Sequence, residues 1–208
     1  LFAHEDVRRA TFSSDGQHVL TASLDQSVKL WRTDGNLVQT HAPPDVPGAA
    51  DRSFHRRVAA PMSAGFSPDG SRYVTIAHGQ ARLHDLDGGV IPLHEDGQRL
   101  ATCAAFAPGT DVVVVGTESG RARAFDFAGA TLASISTAHG ASIEQLVFAG
   151  SSPFRTATSP PGITELHIAG FTSDGTLFAW RNDTGIRLRS KVGLLRQLAC
   201  QGDVIACA

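Results

Sequence analysis

Near the start of the chain stand His4, Ser23 and Asp25. These are the side chains of a nucleophilic triad, in which a carboxylate orients an imidazole that takes the proton of an attacking hydroxyl. A set of the same kind, His139, Thr172 and Asp174, returns later. An active site needs to occur once, whereas a packing device recurs with the repeat that uses it. No G-x-S-x-G nucleophile elbow occurs in the sequence. Both sets are therefore read as structural, no catalytic residue is assigned, and the chain is expected not to be an enzyme.

The other reactive side chains carry less. His41, His55, His78, His84 and His94 do not combine with a carboxylate or thiol at a metal-ligand spacing. Cys103, Cys200 and Cys207 cannot all pair, and none shows the CxxC spacing of a zinc or redox site. A reducing, cytoplasmic setting is expected, with no metal and no cofactor; a Cys200–Cys207 bridge across a hairpin is the less favoured alternative. Gly116–Gly120 is glycine-rich, but it joins two strands rather than opening a helix, so it lacks the amide-lined terminus that holds phosphate. Lys and Arg number 18 against 20 Asp and Glu, a net charge of -2 that exerts no long-range pull on nucleic acid or anionic lipid. The basic spots Arg8-Arg9, Arg56-Arg57 and Arg187/Arg189/Lys191 are small and fall at different points of the repeat. The longest apolar run, Val112 to Val115, is far too short to span a bilayer. Neither nucleic acid nor membrane is expected as a partner.

What must position these residues is a repeat. Residues 10–31 read ATFSSDGQHVLTASLDQSVKLW, residues 64–84 AGFSPDGSRYVTIAHGQARLH, and residues 104–125 AAFAPGTDVVVVGTESGRARAF. Each is an apolar strand ending in Phe, a glycine turn, a second strand, a tight turn, and a third strand ending on an aromatic residue or His. Phe12, Phe66, Phe106 and Phe148 are spaced by 54, 40 and 42 residues, with Cys200 at the corresponding place of a fifth unit. The first excess is explained by the proline-bearing stretch 41–57, and the fourth unit carries its extra length at 151–164.

Second strands place apolar residues on both faces, which suits a strand sandwiched between neighbouring sheets. Third strands are expected at 27–31, 81–84, 121–125 and 176–180, each followed by a short fourth strand. Asp15-Gly16, Asp69-Gly70, Asp34-Gly35, Asp87-Gly88 and Asp174-Gly175 supply residues that tolerate positive φ in hairpins. The expected fold is all-β, a propeller of four-stranded antiparallel blades that is incomplete as given. The whole of 1–208 is one propeller segment, with blades at about 1–40, 58–93, 98–135 and 138–190 and a partial blade at 192–208.

The chain resembles the WD-repeat family, whose units pair a Gly-His-like dipeptide with FSPDG and then SxDxTVxxW. Ala3-His4, Phe12-Ser13-Ser14-Asp15-Gly16 and Ser23-Leu24-Asp25-Gln26-Ser27-Val28-Lys29-Leu30-Trp31 carry the match, with Arg32 where the pattern has Asp. The resemblance implies a buried polar network through His4, Ser23, Asp25 and Trp31, and again through His139, Thr172, Asp174 and Trp180, in which the hydroxyl accepts the indole N–H. Unit two departs from it, with Val58 near the His position, Gly79 at a shortened turn and His84 in place of Trp. Unit three has Ser119 for the Asp and Phe125 for the Trp, and His94 lies too early. Both are expected to be held mainly by apolar packing.

The resemblance implies a non-catalytic protein–protein interaction scaffold or sensor module within a larger multidomain signalling or regulatory protein. The competing reading is a propeller attached to or gating a hydrolase or another enzyme. Partners are expected to be a protein or peptide, further blades of the parent chain, or a second copy. Contacts are expected where the repeat is interrupted, at Asp45, Arg52, Arg56, His94, Glu95, Asp96, Phe154 and Arg155. High Ala, Gly, Arg and Asp with only Lys29 and Lys191 as lysines point to a GC-rich bacterial coding sequence.

Overall fold

The computed structural model describes residues 7–23, 27–41, 64–77, 79–93, 100–136, 140–148, 167–174, 176–181, 190–191, 198–201 and 204–207. Among the described residues every regular element is a β-strand, and every pairing given by residue register is antiparallel. The chain divides into two compact units, Leu1–Ala101 and Thr102–Ala208.

The first unit holds two blades. One runs β1 (Val7–Phe12), β2 (His18–Ser23), β3 (Val28–Arg32) and β4 (Leu37–His41), paired in chain order. The next runs β5 (Ala64–Phe66), β6 (Arg72–Ala77), β7 (Gln80–Asp85) and β8 (Val90–Pro92), again in chain order. The second unit holds, from Thr102 on, a third blade of β9 (Ala101–Phe106), β10 (Val112–Thr117), β11 (Arg121–Asp126) and β12 (Thr131–Ser136). Its fourth blade has β13 (Ile143–Phe148), β14 (His167–Thr172), β15 (Thr176–Arg181) and β16 (Ser190–Lys191). A two-stranded hairpin, β17 (Leu198–Gln201) with β18 (Val204–Cys207), follows. The fold is thus all-β and built from propeller-type blades. In the hairpin Cys207 opposes Leu198 and Cys200 opposes Ile205, so the two cysteines are not cross-strand partners.

The turns show why these residues form hairpins. The Ser13 hydroxyl donates to the Asp15 carboxylate and accepts the His18 amide at 2.9 Å, while the Gly16 amide closes onto the Ser13 carbonyl. That closure needs the positive φ of 69° at Gly16, where no Cβ clash intervenes. Ser67, Asp69, Gly70 and Arg72 repeat the same bonds in the second blade. In both turns the serine hydroxyl holds the aspartate carboxyl below its usual range. Ala107 has no hydroxyl at this place in the third blade, and Thr110 instead donates to the Ala107 carbonyl at 3.1 Å.

The last turn of the second and third blades uses the residue after the third-strand ring. Asp85 accepts the Gly89 amide and Asp126 accepts the Ala130 amide, each across four residues. Arg32 cannot accept, and in the first blade Asp34 takes the Asn36 amide from within the turn. The aspartate missing after Trp31 is therefore present in the next two blades, in its turn-closing place.

Packing between sheets supplies the core. In the first unit Leu20, Ala22, Val28 and Leu30 of the first blade meet Ala64 and Tyr73 of the second, with Phe66 and Leu86 against them. In the second unit Val112, Val114, Ala122 and Ala124 of the third blade meet Ile143, Leu146 and Ile168 of the fourth. All six residues of β10 are buried, on both of its faces. The approach is closest at Gly116, where an added Cβ would stand 2.6 Å from Cys103 Sγ and 3.0 Å from Ile143 Cγ2. Cys103 and Ile143 are themselves enclosed, so neither can yield cheaply. Gly116→Ala is expected to lower stability by about 1–3 kcal/mol through overpacking, read as a reduced urea midpoint with an unchanged m-value.

Candidate functional site

Strand register defines the equivalent positions of the blades. Trp31 lies opposite Val19, and two residues along β2 Thr21 lies opposite Lys29. The Trp31 indole N–H donates to Thr21 Oγ1 at 2.9 Å. The hydroxyl that accepts the indole is thus Thr21, not Ser23. Ser23 is fully buried one turn further on, with its amide bonded to the Ser27 carbonyl.

The second blade keeps this link with different residues. His84 lies opposite Tyr73 and Thr75 opposite Arg82, so His84 takes the place of Trp31 and Thr75 that of Thr21. His84 Nε2 and Thr75 Oγ1 are 2.9 Å apart, with both residues buried. This blade therefore keeps one link of the expected network, a third-strand ring nitrogen bonded to a second-strand hydroxyl. The one-residue-shorter turn changes the spacing from ten residues to nine, which hides the pair from a fixed-spacing comparison.

In the third blade both partners are apolar, Phe125 opposite Val113 and Val115 at the hydroxyl position. There Thr117 closes the second turn by bonding Ser119 at 3.1 Å and Arg121 in both directions. In the fourth blade Trp180 lies opposite Ile168, which puts Gly170 where Thr21 stands. Gly170 offers no hydroxyl, so the fourth blade does not repeat the first. Thr172 instead donates to Asp174 and to the Thr176 carbonyl, and Asp174 accepts the Thr176 amide at 3.1 Å. Thr172 and Asp174 close a turn.

His4, Asp25 and His139 lie outside the described residues, as do Asp45, Arg52, Arg56, His94, Glu95, Asp96, Phe154 and Arg155. Trp180 is placed by its backbone. Of the network expected from the sequence, the structure shows Ser23 and Trp31 on one blade and Thr172 with Asp174 on another.

It also builds a cluster that sequence spacing missed. His41 belongs to β4 rather than to the insertion after it, and its Nε2 lies 2.9 Å from the Tyr73 hydroxyl. Tyr73 donates onward to Gln39 Oε1 at 2.9 Å. Tyr73 stacks on His84 at 4.8 Å with planes 8° apart, and the His41 and His84 rings are 4.1 Å apart. Burial lowers the His41 pKa, with Arg82 adding to the effect. Burial pushes His84 down to about 3, assisted by His41 and Arg82 and opposed by Asp85. Burial also raises the Tyr73 phenol, with Asp85 reinforcing it. Among the described residues no group of three or more His, Cys, Asp or Glu side chains is placed to hold a metal ion. Cys103 is a buried thiol pushed up to about 12 by its burial, and its Sγ lies 3.5 Å from the Ile143 carbonyl.

The surface of the first blade differs from that of the second. Phe12 pairs with Val19, Val19 with Trp31 and Trp31 with Leu37, so these residues share one face. Phe12 is 66% exposed and Leu37 49%, with Val38 and Val7 also exposed. The equivalent face of the second blade, carrying Phe66, Tyr73 and His84, is covered by the first.

Residues 1–32 match the family described as WD domain, G-beta repeat. The match covers β1, β2 and β3 of the first blade, and the four-stranded antiparallel sheets of the first four blades are of the kind such repeats form. Repeats of this family are generally protein–protein interaction modules and typically non-catalytic. No curated relative matches the chain.

The Trp31–Thr21 bond is testable by a double-mutant cycle. Trp31→Phe and Thr21→Val should each destabilise the chain, and the coupling between them should be about 0.5–1.5 kcal/mol, the net worth of one hydrogen bond. Urea unfolding of the two single variants and the double variant measures it.

Proposed function

We propose that this chain is a non-catalytic interaction module, one part of a larger multidomain signalling or regulatory protein working in the cytoplasm. The observation that carries the reading is the contrast between its polar and apolar side chains. The hydroxyls and carboxylates of the repeat are engaged in closing turns and tying rings to strands. Large apolar side chains on the first blade are left facing water. A surface of that kind is a contact surface.

The equivalence of the first two blades indicates what fits there. Phe66 and its neighbours in the second blade are covered by Leu20, Leu30 and the β4 edge. The Phe12, Trp31 and Leu37 face therefore suits an aliphatic sheet face of blade type, supplied by further blades or by a second copy of this chain. Asp45, Arg52, Arg56, His94, Glu95, Asp96, Phe154 and Arg155, in the segments that interrupt the repeat, are the proposed contacts for a protein or peptide partner.

Sedimentation of the 208-residue chain tests the blade-face contact. Self-association should be detected at micromolar concentrations, and Phe12→Asp with Leu37→Asp should weaken it about tenfold or more with little change in melting temperature. A chain that stays monomeric at high concentration would overturn this part of the reading. In ester and peptide hydrolysis assays we expect no turnover, and none that responds to Ser23→Ala.

A further inference from the structure

We propose that His41, Tyr73 and His84 form an acid-sensitive joint between the first two blades, closed while both imidazoles are neutral and opened when they take up protons. The three rings come from both sheets: His41 ends β4 of the first blade, while Tyr73 and His84 face each other across β6 and β7 of the second. Their hydrogen bonds define the neutral state. Tyr73 gives its proton to Gln39, so its oxygen accepts from His41 Nε2–H. His41 therefore carries its proton on Nε2 and keeps a lone pair on Nδ1.

His84 is the more constrained of the two. It is 2% exposed, its Nε2 is satisfied by Thr75, and its Nδ1 has no hydrogen-bond partner. An unpaired lone pair is tolerable there; an added N–H carrying a positive charge is not. The groups around the stack mostly oppose protonation. His41 from β4 and Arg82 from β7 both disfavour a cation at His84, and Arg82 does the same at His41. Asp85, next to His84 on β7, is the one opposing influence, and Tyr73 and Gln39 are neutral at these pH values. Half-buried His41 is the entry point for the proton. Once charged, its ring lies 4.1 Å from that of His84 and within the field of Arg82, and separating the strands relieves both by admitting water.

Both histidines titrate lower in the fold than in the unfolded chain. The unfolded chain therefore binds more protons below pH 6.5. The joint contributes fully above that pH and progressively less as pH falls toward the folded values. For an imidazole that stays neutral in the fold, the folding constant drops about 30-fold between pH 7.5 and 5.

Tyr73 is the only tyrosine in the chain, so its ring signals report on this stack without assignment ambiguity. In the 208-residue chain, NMR should show the His41 and His84 ring signals titrating below pH 6.5, with the Tyr73 signals shifting in step. Hydrogen-exchange protection factors in 37–41 and 72–85 should fall at pH 5 relative to those in 112–126. Urea unfolding at pH 7.5 and 5 should show a larger loss for the wild type than for His41→Gln or His84→Gln, which keep a donor without the titration. Should the His84→Gln chain fail to fold, His41→Gln and the wild-type titration decide. The proposal is overturned if both imidazoles titrate at or above 6.5 with Tyr73 unmoved, or if His41→Gln loses as much stability at pH 5 as the wild type.

Discussion

A strand buried on both faces has no water to satisfy its polar side chains, and the rest of this structure follows from that constraint. The β6 and β10 strands are enclosed along most of their length, yet the second strands carry Thr21, Ser23, Thr75, Thr117 and Thr172. Each has a place in the architecture. Thr21 takes the indole N–H and Thr75 bonds the His84 ring nitrogen on the third strand, while Thr117 and Thr172 close the turn beyond. Where the ring cannot donate, as at Phe125, the residue at the hydroxyl position is Val115, and no polar group is stranded there.

The first three blades are therefore variations on one rule. A third-strand ring must fill the space beside the second strand, and its polarity must match the side chain it meets. Trp with Thr, His with Thr, and Phe with Val all satisfy that rule. In the fourth blade the equivalent second-strand position is Gly170, which offers no hydroxyl.

Replacing Trp by His in the second blade has a consequence beyond packing. Tyr73 stacks on the His84 ring, and His41 approaches it from the neighbouring sheet. An interface that is elsewhere aliphatic, through Leu20, Leu30 and Ala64, thereby acquires two ionisable rings at its β4 edge. The first blade presents the equivalent face with Trp31 and Phe12, which do not titrate, and leaves it exposed. One repeat position thus lies beside exposed apolar side chains in one blade and within a buried pair of imidazoles and a phenol in the next.

The blade architecture was legible in the sequence because it is local. Apolar alternation, Asp-Gly turns and the recurrence of Phe12, Phe66, Phe106 and Phe148 each depend on residues within one repeat, and the strands of the first three blades fall where that pattern puts them. The resemblance carried by 1–32 was legible for the same reason. Partner choice was not, because it depends on register. Thr21 and Ser23 lie two residues apart on the same face of β2, and only the pairing of β2 with β3 brings one of them to the indole. The Thr75–His84 pair was hidden by a turn one residue shorter, and the His41–Tyr73–His84 stack by its origin in two sheets 32 residues apart. Sequence by itself determined which residues form a blade, since hairpins are written in neighbouring residues. The tertiary structure alone decided which side chains meet, since that follows from strand register and from the face one sheet turns toward the next.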